Sequence, residues 1–211
     1  MNTRNSENEE IDEEVETAAA ALMAAMQETT QDAATIGLMG DIDEEGAQEV
    51  VLGLVHLNDG RVFPNPIGPD EEPEKDIDFL ICTSGGNVHE MFALHDMMDI
   101  VKHRRDIATL GVGKVFSAGL PLLINGTPGK RHLTKNTRIM LHRCNGGNMG
   151  TTADLQSSHE EMLLIEDKMI QLLAANTNLT IAGIKEMFSS NTDQFFSAEE
   201  ALEMGIVDKI I

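Results

Sequence analysis

The sequence predicts an α/β fold built on parallel strands, and three observations carry that expectation. Ile77-Asp78-Phe79-Leu80-Ile81-Cys82 is a short run of branched and aromatic side chains that suits a buried strand. Residues 88–101 follow with Val88, Met91, Phe92, Leu94, His95, Met98 and Val101 on one helical side. Residues 107–112 then return to strand character. Strand, helix and strand in that order imply a right-handed parallel crossover.

The other elements can be read in chain order. Residues 1–16 are acidic, with Arg4 the only base, and read as a disordered tail. Residues 17–27 have helix propensity but are too short to hold a helix alone. They suit a cleavable leader, an axial element of an oligomer or a frayed end. Residues 1–34 are therefore assigned as an acidic tail or leader and 35–211 as the folded domain. A strand is expected at 36–40 and a helix at 41–57, where Ala47, Val50, Val51, Leu54 and Val55 recur at helical spacing. Residues 58–75 hold four of the six prolines and read as a surface loop. Lys102, His103, Arg104 and Arg105 stand at the end of the second helix, where cations suit its dipole. A short helix is expected at 120–124, a turn at 126–131, and strands at 132–134 and 138–142. Gly146, Gly147 and Gly150 mark a flexible segment before a long amphipathic helix at 155–175, with Leu163, Leu164, Met169, Leu172 and Leu173 as its apolar face. Ser197 and Glu200 form a capping-box pattern that opens a last short helix, and 206–211 closes as a strand.

Composition narrows the function. A chain of 211 residues suits one domain plus a tail. Its formal net charge of −21 repels phosphate backbones and anionic lipid, which excludes nucleic acid and membrane as expected partners. Two cysteines, Cys82 and Cys144, make no disulfide framework. No secretory start or membrane-length apolar run is present, so a soluble, cytoplasmic protein is expected.

Three segments could carry chemistry. Ser117 stands where a strand gives way to a helix, beside N–H groups that favour developing negative charge; an ordinary N-cap serine reads the same way. Ser84-Gly85-Gly86 follows an apolar strand and could bring backbone N–H groups to an anion, or could be a plain turn. His142 ends an apolar strand and could shuttle a proton, or could be a satisfied core histidine. Singly, each bland reading is the better one. Their order is more informative: glycine pair, serine at a helix start, histidine 25 positions later (142 − 117).

In that order, and without a gap from 113 to 142, the chain resembles the proteolytic subunits of Clp protease (ClpP). The resemblance includes Leu122 and Leu123, the Gly129-Lys130-Arg131 turn, Met140 before the histidine, Ser84-Gly85-Gly86-Asn87-Val88, the 36–43 strand and turn, and the blocks 196–201 and 205–208. It implies a crotonase-like spiral of ββα units with a protruding strand–helix handle at about 143–175. It implies a serine endopeptidase cleaving unfolded proteins or peptides through an acyl-enzyme, inside a chamber of stacked heptameric rings. Ser117 would be the nucleophile, His142 the base and Asp193 the acid that orients it. The N–H groups of Gly85 and Ala118 would bind the oxyanion. No cofactor or metal is expected; neither the Walker spacing near Gly129-Lys130 nor a zinc-protease helix around His89 and His95 is complete.

The chain also departs from that pattern. Ala118 replaces the usual methionine, and the 58–75 loop is longer. Asp78 and Leu80 stand where the family has aromatic docking residues, which counts against docking of an ordinary AAA+ unfoldase. Three alternatives follow: a phage-type head-maturation peptidase acting on scaffold protein (then in host cytoplasm), a catalytically silent ring subunit, and a coenzyme A-binding enzyme on the same fold.

Overall fold

A computed structural model of the chain describes residues 34–71, 74–147, 149–190 and 192–211. The reading of residues 1–33 as a tail or leader lies outside them. In chain order the elements are β1 (Thr35–Met39), α1 (Glu44–Leu57), β2 (Ile77–Thr83), α2 (Val88–Lys102), β3 (Ile107–Phe116), α3 (Gly119–Ile124), β4 (Arg131–Leu133), β5 (Arg138–Leu141), α4 (Thr152–Asn176), α5 (Ile181–Ser189), β6 (Gln194–Phe196), α6 (Ala198–Glu203) and β7 (Lys209–Ile210).

The α/β expectation is met. Strands β1-β2-β3-β4-β7 pair in parallel, and β5 adds in parallel to β3. Only β6 is antiparallel, on β5. Strand β2 shows why the sheet forms: Ile77, Phe79 and Ile81 alternate into the core at 0% exposure, while Asp78, Leu80 and Cys82 take the other side. Each buried aliphatic or aromatic side chain of this size contributes roughly 1.5–3 kcal/mol by leaving water. Apart from α3, the described helices start at side-chain caps. Asp43 accepts the Gly46 N–H, Asn87 accepts the His89 N–H, and Thr151–Asp154 and Ser197–Glu200 form reciprocal capping boxes.

Strand β3 is longer than its apolar run suggests, and the extra length serves a second partner. Thr109–Gly111 pair with β4, whereas Lys114–Phe116 pair with β5. Between them the β2–β3 register slips: an advance of two positions along β2 (Ile81 to Thr83) matches one of four along β3 (Gly111 to Val115). Gly113, at φ 70°, takes up the excess. The bulge redirects the end of β3 toward β5, and Ser117 follows directly.

Two other readings need correction, the apolar face of α4 and the extent of the last strand, and two segments gain detail. The described residues of the 58–75 segment form no helix or strand, as expected, and Arg104 and Arg105 secure the segment as well as ending α2. Arg104 pairs with Glu74 and with Glu71 (2.8 Å), and Arg105 Nε donates to the Lys75 carbonyl (2.8 Å). The buried stripe of α4 is Ile165, Met169, Ile170 and Leu173, and Leu163 and Leu164 face outward. Met169 and Leu173 lie one turn apart, so the stripe that continues N-terminally from them passes through Ile165. Residues 142–147 and 149–151 pair with no strand of their own chain and lead into α4. The last strand is only Lys209–Ile210, because Asp208 turns to take a forked pair of bonds from Arg131 (2.9 and 2.6 Å) and the Gly129 N–H (2.8 Å). No described helix is long and apolar enough to cross a membrane.

Candidate active site

Ser117 and His142 meet because β3 and β5 are parallel neighbours. The register pairs Lys114 with Arg138 and Phe116 with Met140, an offset of 24 (138 − 114). The serine–histidine separation is 25, one residue more. Backbone conformation at Ser117 accommodates the difference: its φ is +53°, in the left-handed region rarely adopted by a residue with a Cβ. Such a conformation costs about 1–3 kcal/mol and persists only where the surroundings enforce it. Here the Ser117 N–H donates to the Met140 carbonyl (2.8 Å), and α3 begins two residues later. Gly119 permits that close turn, since a Cβ there would stand 2.3 Å from Thr83 Cγ2. The outcome is His142 Nε2 2.6 Å from Ser117 Oγ.

Asp193 arrives by another route. Strand β6 pairs with β5 so that Leu141 faces Gln194, and the residues just beyond that last rung are His142 and Asp193. Phe195 packs edge-on against Phe116, ring centroids 5.8 Å apart, and braces β6 on the end of β3. The carboxylate is aimed at the imidazole but does not bond it: Asp193 Oδ1 lies 3.8 Å from His142 Nδ1, and its side chain is 51% exposed.

The glycine pair divides its labour, and here the structure departs from the sequence expectation. The Gly85 N–H is not open to a ligand; it donates to the buried Thr83 hydroxyl at 2.9 Å. Gly85 instead provides clearance, because a Cβ on it would lie 2.7 Å from Ser117 Cβ. Gly86 is the glycine that lines the cleft beside Ser117. The bridge to Ile42 uses the Gly85 carbonyl and the Asn87 N–H, which leaves the Gly86 N–H on the opposite side of the chain. Among the described residues, neither Gly86 N–H nor Ala118 N–H is engaged in a hydrogen bond. Nothing in the local sequence distinguishes Gly85 from Gly86; the Thr83 bond does.

The cleft over this group has a volume of about 570 Å³. Val88, Leu141, Met162, Ile165 and Met169 give it an apolar wall, and Asn145, Ser157 and Glu161 a polar rim. Cys144 also lines it, but burial raises its thiol pKa above the ordinary value, which keeps it protonated and a poor competitor to Ser117 as nucleophile. A hydroxyl on an imidazole, with two open N–H groups beside it and an apolar pocket alongside, can support nucleophilic acyl chemistry. Elsewhere, His95, Asp96 and Asp99 are the described residues close enough together to approach a cation. Lys102 already pairs with Asp99 at 2.8 Å, which neutralises that carboxylate.

Comparison with known families adds the coarse function. The family model of Clp protease matches residues 17–211. The chain therefore belongs to the Clp protease family, and a peptidase role comes with that membership.

Proposed function

We propose that this Clp protease family member is a serine endopeptidase acting through Ser117, His142 and Asp193. The single observation that carries the reading is the 2.6 Å contact between His142 Nε2 and Ser117 Oγ. His142 holds its proton on Nδ1, toward Asp193, and accepts the Ser117 proton on Nε2 as Oγ attacks the peptide carbonyl carbon. The carbonyl oxygen gains the negative charge and is met by the N–H groups of Ala118 and, in place of Gly85, Gly86. Loss of one such donor costs roughly 2.7–4 kcal/mol of transition-state stabilisation. His142 then protonates the leaving amine, and water releases the acyl group by the same steps in reverse order.

The apolar wall of Val88, Leu141, Met162, Ile165 and Met169 suits an apolar side chain beside the scissile bond. The unpaired backbone of 142–147 suits an extended, unfolded peptide added strand-wise. Exposed Leu163 and Leu164 on α4 suit packing between copies, as a chamber of stacked rings requires. Asp78 and Leu80 share an outward hollow with Leu110 and His132; a carboxylate there disfavours an apolar docking peg and with it an ordinary unfoldase.

A fluorophosphonate probe tests the reading. Wild type should be labelled and lose peptidase activity, and Ser117→Ala should take no label. Equal labelling of both proteins would overturn the assignment of the nucleophile. One observation favours a second reading, a silent ring subunit: the 3.8 Å gap between His142 and Asp193. Catalytic hydrogen bonds often tighten only when substrate binds, so turnover of a short apolar peptide by purified protein separates the two readings.

A further inference from the structure

His142 lies one residue beyond the end of β5, in a segment without regular structure. The acid that should orient it stands 3.8 Å away and half exposed. Something else must limit the swing of the imidazole. The next residue, Arg143, directs Nε to Glu166 Oε2 at 2.7 Å. Glu166 sits on α4 with its side chain only 18% exposed, beside Ile165 in the apolar wall of the cleft. The ion pair thus ties the backbone that carries the base to the helix that forms the substrate wall.

We propose that Arg143 and Glu166 are a positioning pair for His142: the pair keeps the imidazole on Ser117 and couples it to α4. Neither residue touches the reacting atoms. The proposal rests on the serine peptidase reading above, and it adds residues to that machinery that the Ser117–His142–Asp193 arrangement does not include. The chemistry has a simple rationale. An ion pair with one partner 55% exposed contributes little to global stability. A misplacement of the base by a fraction of an ångström nevertheless slows proton transfer, because catalysis depends steeply on the alignment of reacting groups. Small effect on stability and larger effect on rate is the signature expected of a positioning pair.

The test uses full-length protein in its native assembly, with native mass spectrometry and melting temperature as controls. Arg143→Gln and Glu166→Gln should each lower kcat for a short apolar peptide by about 3- to 10-fold, with KM nearly unchanged. Labelling of Ser117 by the fluorophosphonate should slow in parallel, and the melting temperature should hardly move. Asp167→Asn removes the adjacent exposed carboxylate and should leave kcat at the wild-type value. Arg143→Glu combined with Glu166→Arg should recover most of the lost rate. If the swapped protein does not assemble, Arg143→Lys serves instead: it retains the charge and should fall between wild type and Arg143→Gln. Single variants that behave like Asp167→Asn, or a swap and an Arg143→Lys that rescue nothing, would sink the proposal. Failure of the parent reading is recognisable separately, because wild type itself would then take no label at Ser117.

Discussion

The two halves of the proposed triad are held by different grades of structure. Ser117 and His142 extend from the paired ends of β3 and β5, and His142 is 22% exposed. Asp193 extends from β6, three residues long and antiparallel, and is 51% exposed. The first half has a normal, short hydrogen bond and the second has only an electrostatic contact. In the proposed triad, nucleophile and base are held by the sheet, while the acid stands on a short antiparallel element at a longer distance. Activity should therefore fall in unequal steps as the halves are removed.

The largest loss belongs to the preorganised half. Ser117→Ala or His142→Ala should lower kcat by about 10⁴- to 10⁶-fold while oligomeric state and melting temperature stay at the wild-type values. Asp193→Asn should cost less, about 10²- to 10³-fold, because the acid contributes orientation through a contact that is already long. Steady-state hydrolysis of one apolar peptide by all three variants measures the difference. Equal losses would mean that the acid closes fully on substrate binding and that the comparison describes only the resting state.

The sequence disclosed these halves unequally for the same physical reason. Ser117 and its helix start lie in one contiguous segment, and His142 ends an apolar strand, so local pattern made both candidates, but only their order and the resemblance lifted them above the bland readings. Asp193 was nameable only by resemblance. Its position depends on the β5–β6 rung, and β6 and the preceding α5 were not expected at all. Three-residue β6 is too short to display alternation, and α5 carries Gly183 in its interior, which weakens the helical signal. The choice between Gly85 and Gly86 was equally hidden, since it turns on which N–H the Thr83 hydroxyl takes. The crossover order of β2, α2 and β3 was legible because each element is long and strongly patterned.

The glycine pair offers a further way to sharpen the comparison. Alanine at Gly86 cannot test its N–H cleanly, because a Cβ would lie 2.2 Å from the Ile42 carbonyl oxygen. Thr83→Val can test the Gly85 assignment. It keeps the methyl that packs against Gly119 and removes the hydroxyl that accepts the buried Gly85 N–H. The unpaired N–H should destabilise the fold by about 1–3 kcal/mol. Chemical denaturation should detect that loss, with kcat at permissive temperature lowered only a few-fold, on the order of the strain passed on to Ser117. A full loss of turnover in a stably folded Thr83→Val would instead place the Gly85 N–H in the catalytic machinery.

The smallest expected effect lies outside the triad, at the buried His95. His95 on α2 is 5% exposed, and its Nε2 has no hydrogen-bond partner among the described residues. Burial lowers its pKa below the ordinary 6.5, a shift opposed by Asp99 and reinforced by Lys102. The unfolded chain therefore binds this proton more readily than the native one. Stability from neutral His95 is fully present above pH 6.5 and is lost as pH falls from there through the folded pKa. His95→Leu removes the titration, so its melting temperature should decline less than that of wild type between pH 7 and 5, by about 2–4 °C or less. The pH dependence of kcat should be the same in both proteins, because His95 lies on α2 and does not line the Ser117 cleft. A parallel change in both profiles would show that the α2 face and the Ser117 cleft respond as one unit, and the division between the two halves of the triad would have to be redrawn.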